Sequence, residues 1–164
     1  MNNCRTLSWI DYDTYCYKLL LKIKQHDVKY DSIIAIMRGG YPLGLYLSNF
    51  LKIPLFGIQT QNHNYNEPER GEKNNTIKIG EIYGFGNIGN NILLVDDICD
   101  TGQTINIVSN YLQEKGLEVS LATMVKRTMN APFHFIVKYW YWALEINDDS
   151  WIVFPYEPSP EETL

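Results

Sequence analysis

The chain has 164 residues, a formal net charge of -5 and a hydrophobic fraction of 45%. This length suits one domain, residues 1–164, with a core of its own. The acidic balance gives no general attraction to nucleic acid or to an anionic membrane. No apolar run approaches the ~18 residues of a transmembrane helix. The first residues also lack the apolar core of a signal peptide, so we expect a cytoplasmic protein and leave peripheral membrane association open.

The sequence shows no pattern typical of a disulfide scaffold, a zinc site or a cysteine nucleophile. The three cysteines, Cys4, Cys16 and Cys99, are odd in number and have no Cys-x-x-Cys spacing. The three histidines have no spacing that would let them bind a metal together, and none is arranged with Cys99 as a nucleophile would require. We therefore look for the chemistry elsewhere in the chain.

The first part of the chain alternates between helix and strand patterns. Residues 11–25 carry apolar or aromatic side chains at helical spacing, and Asp11 stands where it could cap the helix. Short apolar runs predict buried strands, and Pro42 suits the first turn of a helix. The predicted elements are a helix over residues 11–25, a strand over 32–37, a helix over 42–51 and a strand over 54–60.

The second part begins with a polar segment and then continues the alternation. Residues 61–75 are rich in Asn and Glu, which predicts a flexible loop, and such a loop inside a compact domain is often a lid. Strands that alternate with helices predict an α/β fold with a mostly parallel sheet. The remaining predicted elements are strands over residues 76–82, 91–95, 118–125 and 133–143, and a helix over 104–115 with Gly116 as its C-cap.

One glycine pattern is rejected as a dinucleotide site. Residues 84–89 match Gly-x-Gly-x-x-Gly, but that fingerprint needs a strand before it and a helix after it. Here the predicted strand over residues 91–95 follows, so we interpret the pattern as a turn.

The most informative stretch is residues 91–104. A short apolar run leads into Asp96 and Asp97, and Asp100 begins the sequence Asp-Thr-Gly-x-Thr that opens a helix. In open α/β sheets ligands bind at the carboxyl ends of the strands, and N–H groups at a helix N-terminus hold phosphate. Carboxylates accept hydrogen bonds from hydroxyls and bind hard cations such as Mg²⁺. A sugar phosphate with free hydroxyls and a bound Mg²⁺ meets all of these demands.

Residues 91–104 resemble the motif of the type I phosphoribosyltransferases, which bind 5-phosphoribosyl-1-pyrophosphate (PRPP). The resemblance implies a Rossmann-like α/β fold, in which a mostly parallel twisted sheet is flanked by helices, with a small hood and a flexible lid loop. It also implies that Asp96 and Asp97 bind the ribose 2- and 3-hydroxyls, directly or through Mg²⁺. The residues implied to cradle the 5-phosphate are Thr101, Gly102, Gln103 and Thr104.

Two further parts of the PRPP site follow from the same resemblance. Asp100 matches the proposed general base of the purine enzymes, although an Asp here could also be the N-cap of the next helix. Arg38-Gly39-Gly40 resembles the pyrophosphate loop of the family, although an ordinary turn between strand and helix also uses glycines. Arg38 would supply positive charge there, and Gly39 and Gly40 would allow close backbone approach.

The base-binding residues are implied by a second resemblance. Residues 151–157 resemble the Trp-Ile-x-x-Pro-aromatic-acid run of purine enzymes similar to bacterial xanthine-guanine and hypoxanthine phosphoribosyltransferases. In those enzymes the Trp stacks on the purine, the next residue's backbone reads the ring edge, and the acid lies near the 2-position. These roles fall on Trp151, Ile152 and Glu157, and Lys126 matches the Lys that donates to the exocyclic O6.

The residues alone leave other interpretations of this half open. Trp151 could be a core residue, and Lys126 could form a solvated pair with Arg127. These interpretations predict a buried indole and two exposed cations.

The resemblance implies a Mg²⁺-dependent purine phosphoribosyltransferase of the salvage pathway. Its small-molecule substrates would be PRPP and a 6-oxopurine, namely hypoxanthine, guanine or xanthine, and the family usually forms homodimers or homotetramers. Two alternatives stay open: a PRPP-sensing regulatory protein of the same fold, and an enzyme that acts on orotate or another pyrimidine. The sequence does not decide among the purines.

Overall fold

The computed structural model describes residues 4–62, 77–129 and 135–158. Strands and helices alternate along most of the described chain, as the sequence pattern predicts. In chain order the elements are β1 Cys4–Thr6, α1 Trp9–Gln25, β2 Ser32–Met37, α2 Gly40–Leu51, β3 Leu55–Asn62, β4 Ile77–Tyr83, β5 Asn91–Cys99, α3 Gln103–Glu114, β6 Glu118–Arg127, β7 Trp140–Ile146 and β8 Trp151–Val153.

A six-stranded sheet with the strand order β4-β3-β2-β5-β6-β7 forms the centre of the molecule. Five of its strands run parallel, and β4 at one edge runs antiparallel to β3. The strands β1 and β8 pair in parallel as a separate small sheet. The predicted fold class, a mostly parallel α/β sheet flanked by helices, is therefore confirmed.

Different helices cover the two faces of the central sheet. One buried cluster contains Leu19 of α1 and Leu43 of α2, whereas the other contains Val108 of α3. The strands are apolar on both faces, as parallel sheets require, and Ile33 and Ile34 are both fully buried. Full burial of each such side chain stabilises the fold by roughly 1.5–3 kcal/mol. Helix packing on both faces therefore fixes the strands and, with them, the positions of the loops at the strand ends.

The chain changes direction between the neighbouring strands β2 and β5. From β2 it continues through α2 to β3 on one side, whereas from β5 it continues through α3 to β6 on the other. A crevice opens outside the carboxyl ends of two strands at such a switch point, and α/β proteins bind ligands there. Arg38 follows β2 and Asp100 follows β5. Both predicted loops therefore lie at this crevice.

The predicted strand over residues 91–95 is longer in the structure. β5 continues to Cys99 and therefore contains Asp96 and Asp97. The reason is pairing with β6, which extends past Asp96 opposite Thr123. The hydrogen-bond ladder thus overrides the polarity of the two acids, which sit near the end of the strand instead of after it.

The strands at the other side of the sheet also differ from the prediction. β6 ends at Arg127, so Lys126 lies within the strand instead of after it. β7 begins at Trp140, because its pairing with β6 begins there, opposite Leu121. The predicted start at residue 133 falls on residues 130–134, which lie outside the described residues.

The helix ends correct two predicted caps. Ser8, not Asp11, is the N-cap of α1, because Ser8 Oγ accepts a hydrogen bond from Asp11 N at 3.1 Å. Asp11 Oδ2 in turn accepts from Ser8 N at 3.0 Å, which completes a capping box. The C-cap of α3 is Lys115, and Gly116 follows it with a left-handed φ of 84°.

Two further predictions concern segments between strands. Residues 63–76, which hold most of the predicted lid, lie outside the described residues, and Gln61 and Asn62 belong to β3. The glycine pattern at residues 84–89 is followed by β5 and not by a helix, so its interpretation as a turn is confirmed. Within the described ranges, no helix is both long and apolar enough to span a bilayer.

Candidate functional site

The loop after β5 forms the first part of the site. It contains Asp100, Thr101 and Gly102 and leads directly into α3. Gly102 has a φ of 73°, in the left-handed region that glycine adopts without strain. It provides no side chain to cap α3, and Gln103 N reaches Thr101 Oγ1 only at 3.5 Å. The N–H groups at the start of α3 are therefore suited to an anion.

A cleft of about 260 Å³ lies at this loop. It brings together the two acids at the end of β5 and every residue that the sequence assigns to the 5-phosphate. The lining residues are Asp96, Asp97, Ile98, Asp100, Thr101, Gly102, Gln103, Thr104 and Ile105.

Asp96 and Asp97 are carboxylates with little access to water. Burial raises the pKa of Asp96 well above its usual value, and the charge of Asp97 adds to this effect. Burial also raises the pKa of Asp97 to about 6, with a further contribution from the charge of Glu157. Hydrogen bonds from backbone N–H groups offset part of the free-energy cost of burying these two charges. Asp97 N donates to Asp96 Oδ1 at 3.0 Å, and Ile98 N donates to Asp97 Oδ1 at 2.7 Å.

This pair of acids supplies the oxygen ligands that a hard cation prefers. The unfavourable burial of two neighbouring carboxylates is the kind of cost that a bound divalent cation relieves. No group of three His, Cys, Asp or Glu side chains within the described ranges is arranged to hold a metal by itself. A Mg²⁺ ion here would therefore need further oxygen ligands from a substrate or from water, which is its usual mode of binding.

The turn after β2 packs against the same acids. A Cβ atom at Gly39 would collide with the carboxylate of Asp97, and a Cβ atom at Gly40 would lie 2.5 Å from Val95 O. Glycine is the residue that permits such close approach. Arg38 is exposed at this turn, and the peptide bond that precedes it is cis. The predicted pyrophosphate loop and the predicted ribose acids are thus neighbours.

A second cleft, of about 480 Å³, adjoins the first. Asp97, Ile98 and Asp100 line both clefts, so a ligand could extend from the phosphate loop past Asp100 into the second cleft. The other residues that line the second cleft are Arg127, Met129, Asp149, Trp151, Ile152, Phe154 and Glu157.

Trp151 brings an accessible ring to the second cleft. It is 64% exposed, so the interpretation of Trp151 as a core residue is wrong, whereas the next residue, Ile152, is buried. Glu157 closes the turn that follows β8: its Oε2 accepts from Phe154 N at 3.0 Å, and its N donates to Phe154 O at 3.0 Å. An exposed indole face is suited to stacking on a planar ring.

Tyr156 connects the segment of residues 151–157 to the turn after β2. The sequence patterns did not single out this residue. Its Oη donates to Gly39 O at 3.1 Å, and its ring lies parallel to Phe154, with 5.4 Å between centroids. Burial raises the pKa of Tyr156, so the hydroxyl stays a neutral donor. The aromatic position in the run over residues 151–157 was the available signal for this residue.

Lys126 is not among the residues that line either cleft. Its Nζ lies 4.1 Å from the ring centroid of Trp142 and 3.8 Å from Glu145 Oε2. The neighbouring Arg127 lines the second cleft instead, and its Nε lies 2.9 Å from Asp100 Oδ1. The interpretation of Lys126 and Arg127 as a solvated pair is therefore wrong for Arg127, because this residue is only 6% exposed. The contact of Lys126 with a purine O6 stays a prediction.

The buried thiols Cys16 and Cys99 are not arranged for nucleophilic chemistry. Cys99 and Cys16 are both buried, and burial raises the pKa of each to about 12. A thiol with such a pKa is protonated near neutral pH. All three cysteines are free, as the sequence pattern predicts.

Comparison with known proteins agrees with this geometry. The family model described as "Phosphoribosyl transferase domain" matches residues 11–163. The hypoxanthine/guanine phosphoribosyltransferase of Methanohalophilus mahii is 31% identical over 109 residues, which cover 63% of this chain and 57% of that protein. The xanthine-guanine phosphoribosyltransferase of Desulfotalea psychrophila is 28% identical over 129 residues, covering 78% of this chain and 71% of that protein. The chain thus spans little more than half of the Methanohalophilus relative.

A solved structure extends the likeness to the whole fold. The purine phosphoribosyltransferase from Pyrococcus horikoshii superposes with a TM-score of 0.75 at 25% identity, covering 98% of this chain and 97% of that one. The likeness therefore extends along nearly the whole chain. Because the family model covers nearly the full length of the sequence, the chain belongs to the phosphoribosyl transferase domain family.

Proposed function

We propose that this protein transfers the 5-phosphoribosyl group of PRPP to a 6-oxopurine, namely hypoxanthine, guanine or xanthine, in purine salvage. The observation that carries the proposal is the shared lining of the two clefts by Asp97 and Asp100. A sugar phosphate held at one end and a planar base at the other would meet beside Asp100. Relatives named for hypoxanthine, guanine and xanthine support the choice of a 6-oxopurine.

The phosphate end binds and orients PRPP in this proposal. The N–H groups at the start of α3, with the hydroxyls of Thr101 and Thr104, hold the 5-phosphate. Asp96 and Asp97 accept hydrogen bonds from the ribose hydroxyls. Arg38, with the backbone of Gly39 and Gly40, holds the pyrophosphate group. Gln103 contributes its backbone N–H.

The chemical step is a displacement at C1 of the ribose. A ring nitrogen of the purine forms the new bond to C1, while the bond from C1 to the pyrophosphate oxygen breaks. Asp100 accepts the proton that this ring nitrogen loses, so the products are a nucleoside monophosphate and pyrophosphate. Asp100 lines both clefts, and its side chain is 51% exposed, which is the access that a general base needs.

The proposed cofactor is Mg²⁺, bound together with PRPP. Asp96 and Asp97 would hold it, because their buried carboxylates provide oxygen ligands and a bound cation relieves their mutual repulsion. The ion would neutralise negative charge on the departing pyrophosphate, as divalent cations do for leaving phosphates.

The base end recognises the purine. Trp151 stacks on the ring, the Ile152 backbone reads its edge, and Glu157 lies near the 2-position. Lys126 is assigned to the O6 atom on the resemblance alone, since it lines neither cleft. Contact with O6 would therefore require Lys126 to leave the ring of Trp142.

Self-association and a cytoplasmic location belong to the same proposal. Large apolar side chains are exposed on α1 and α2, such as Ile10 at 80% and Phe50 at 50%. Such side chains are suited to contacts between copies of the chain in a homodimer or homotetramer. Light scattering after gel filtration measures the oligomeric state, and a monomer at micromolar concentration would contradict the proposed self-association.

A panel of free bases tests the proposed activity. The full chain is incubated with PRPP, Mg²⁺ and either hypoxanthine, guanine, xanthine, adenine or orotate, and nucleotide formation is measured. We expect a nucleoside monophosphate from at least one 6-oxopurine and none from orotate. Conversion of orotate alone would favour a pyrimidine enzyme. PRPP binding without turnover of any base would favour a PRPP-sensing regulatory protein.

A further inference from the structure

We propose that Arg127 is a positioning residue that fixes Asp100 relative to the loop preceding Trp151. Its catalytic consequence rests on the proposed function, because it concerns the geometry between the general base and the stacked purine. The structural part of the inference rests on contacts between side chains and loops and does not depend on any activity. Neither the sequence motifs nor the family resemblance singled out this residue.

Arg127 is a buried cation with three separate partners. Its side chain is 8% exposed, and its Nε lies 2.9 Å from Asp100 Oδ1. Its Nη2 donates to Ser150 O at 2.9 Å, and its Nη1 donates to Asp148 O. Nε has no partner with hydrogen-bond geometry within the described residues, so its contact with Asp100 is an ion pair. One guanidinium therefore joins the loop after β5 to the loop before β8.

The loop before β8 is also held from its other side. The Asp148 carboxylate accepts from Ser150 N at 3.0 Å and from Ser150 Oγ, and it forms an ion pair with Arg5 of β1. Ser150 itself is fully buried and is followed directly by Trp151. The position of the stacking ring is thus linked to Asp100 through Ser150 and Arg127.

The chemistry of the side chain explains why an arginine is needed here. A guanidinium presents donors in a rigid planar fork and can reach three acceptors at once, whereas a lysine has one nitrogen on a flexible stem. A buried cation is also tolerated only when charge and hydrogen bonds compensate it, as Asp100 and the two carbonyl groups do here. Lys126 cannot replace it, because its cation lies over the ring of Trp142.

A double-mutant cycle tests the catalytic part. Arg127→Gln should lower kcat about tenfold in the native chain while the dissociation constant of PRPP stays within about twofold, because misplacing a catalytic group costs rate more than binding. On the Asp100→Asn background the same change should cost less than about twofold, since residues that act as a unit are not additive. Equal costs on both backgrounds would overturn the inference.

Hydrogen exchange tests the structural part without activity. In Arg127→Gln and Arg127→Lys we expect roughly tenfold faster exchange at the amides of residues 100–102 and 148–151, with core helix α1 unchanged, because local opening is confined to the contacts removed. Arg127→Lys keeps the charge and guards against a variant that fails to fold. Lys138→Gln, which removes one surface ion pair with Glu118 at 3.0 Å, is the matched control and should leave both segments unchanged.

The double-mutant cycle and the hydrogen-exchange experiment together distinguish a failure of this inference from a failure of the proposed function. If the native chain converts no base, the proposed function fails, and the exchange data alone decide whether Arg127 joins the two loops. Unchanged exchange in both loops, or an equal increase throughout the chain, would overturn the inference even in an active enzyme.

Discussion

The two ends of the proposed site, one for the phosphate and one for the base, are built in different ways. The first cleft, which would hold the 5-phosphate, is lined by one continuous stretch, residues 96–105, in which strand, loop and helix follow one another, and the turn after β2 packs against it. The base end combines residues from the loop after β5, the end of β6, and β8 with the loops that flank it. Arg127 joins two of these parts, and Tyr156 joins the turn after β8 to the turn after β2. A continuous site is fixed by local structure, whereas an assembled site depends on long-range contacts.

The largest expected effect is at Asp100, where the two ends meet. Asp100→Asn should lower kcat about 10²-fold or more, because the general base is lost. PRPP binding should change little, since the 5-phosphate contacts lie in the residues that follow. Steady-state kinetics and calorimetric titration with PRPP measure the two quantities. An unchanged kcat would contradict the role of Asp100.

Two neighbouring glycines test how closely the turn after β2 packs on the phosphate end. Gly40→Ala should lower the free energy of unfolding by about 2 kcal/mol, because the new Cβ atom meets Val95 O and the Asp96 backbone, which cannot move aside. In Gly39→Ala the atoms nearest the new Cβ belong to the Asp97 side chain, so this change should weaken PRPP binding with a smaller loss of stability. Urea unfolding and PRPP titration of both variants measure this contrast. Equal losses of stability would contradict it.

The base end should depend on the exposed indole. Trp151→Ala should raise the KM of the purine about tenfold, since stacking of one base on an aromatic side chain contributes about 1–3 kcal/mol. Trp151→Phe is the matched control and should recover part of the loss. The KM of PRPP should stay the same in both variants. A parallel rise in both KM values would show that the two ends are not separable as described.

The smallest effect expected is a pH dependence of stability at the phosphate end. The pKa of Asp97 is raised to about 6 in the folded chain by burial, above its usual value of 3.8, so the folded state binds more protons between these values. The free energy of unfolding of the metal-free protein should therefore fall as pH rises from about 4 to about 6. The expected fall is about 1 kcal/mol, less than the full pKa difference would give, because neighbouring groups rearrange around the Asp97 charge as it forms. Asp97→Asn should reduce this fall. Urea unfolding with a chelator present measures it.

The same contrast explains what could be predicted from the sequence. The pattern around Asp96, Asp97 and Asp100 predicts a loop between a buried strand and a helix N-terminus, and the structure has this loop between β5 and α3, because these parts are adjacent along the chain. The parallel sheet followed from the alternation of elements. The strand ends do not follow from the local pattern, because pairing with β6 extends β5 to Cys99.

The base end was harder to predict for a physical reason. Neighbouring strand residues point to opposite faces, so a difference of one position decides whether Lys126 or Arg127 lines the cleft. That choice depends on the pairing of β6 with β7 and on the acceptors at Asp148 and Ser150, which are distant in the sequence. The exposure of Trp151 likewise depends on how β8 pairs with β1.

The most direct test of the account is a crystal structure of the full chain with a 6-oxopurine nucleoside 5′-monophosphate, the proposed product. One product molecule should span both ends of the cleft. We expect its phosphate within hydrogen-bond distance of the backbone N–H groups of residues 101–104, and its purine ring parallel to the indole of Trp151. A nucleotide whose phosphate lies away from this loop, or whose base lies outside the second cleft, would contradict the account.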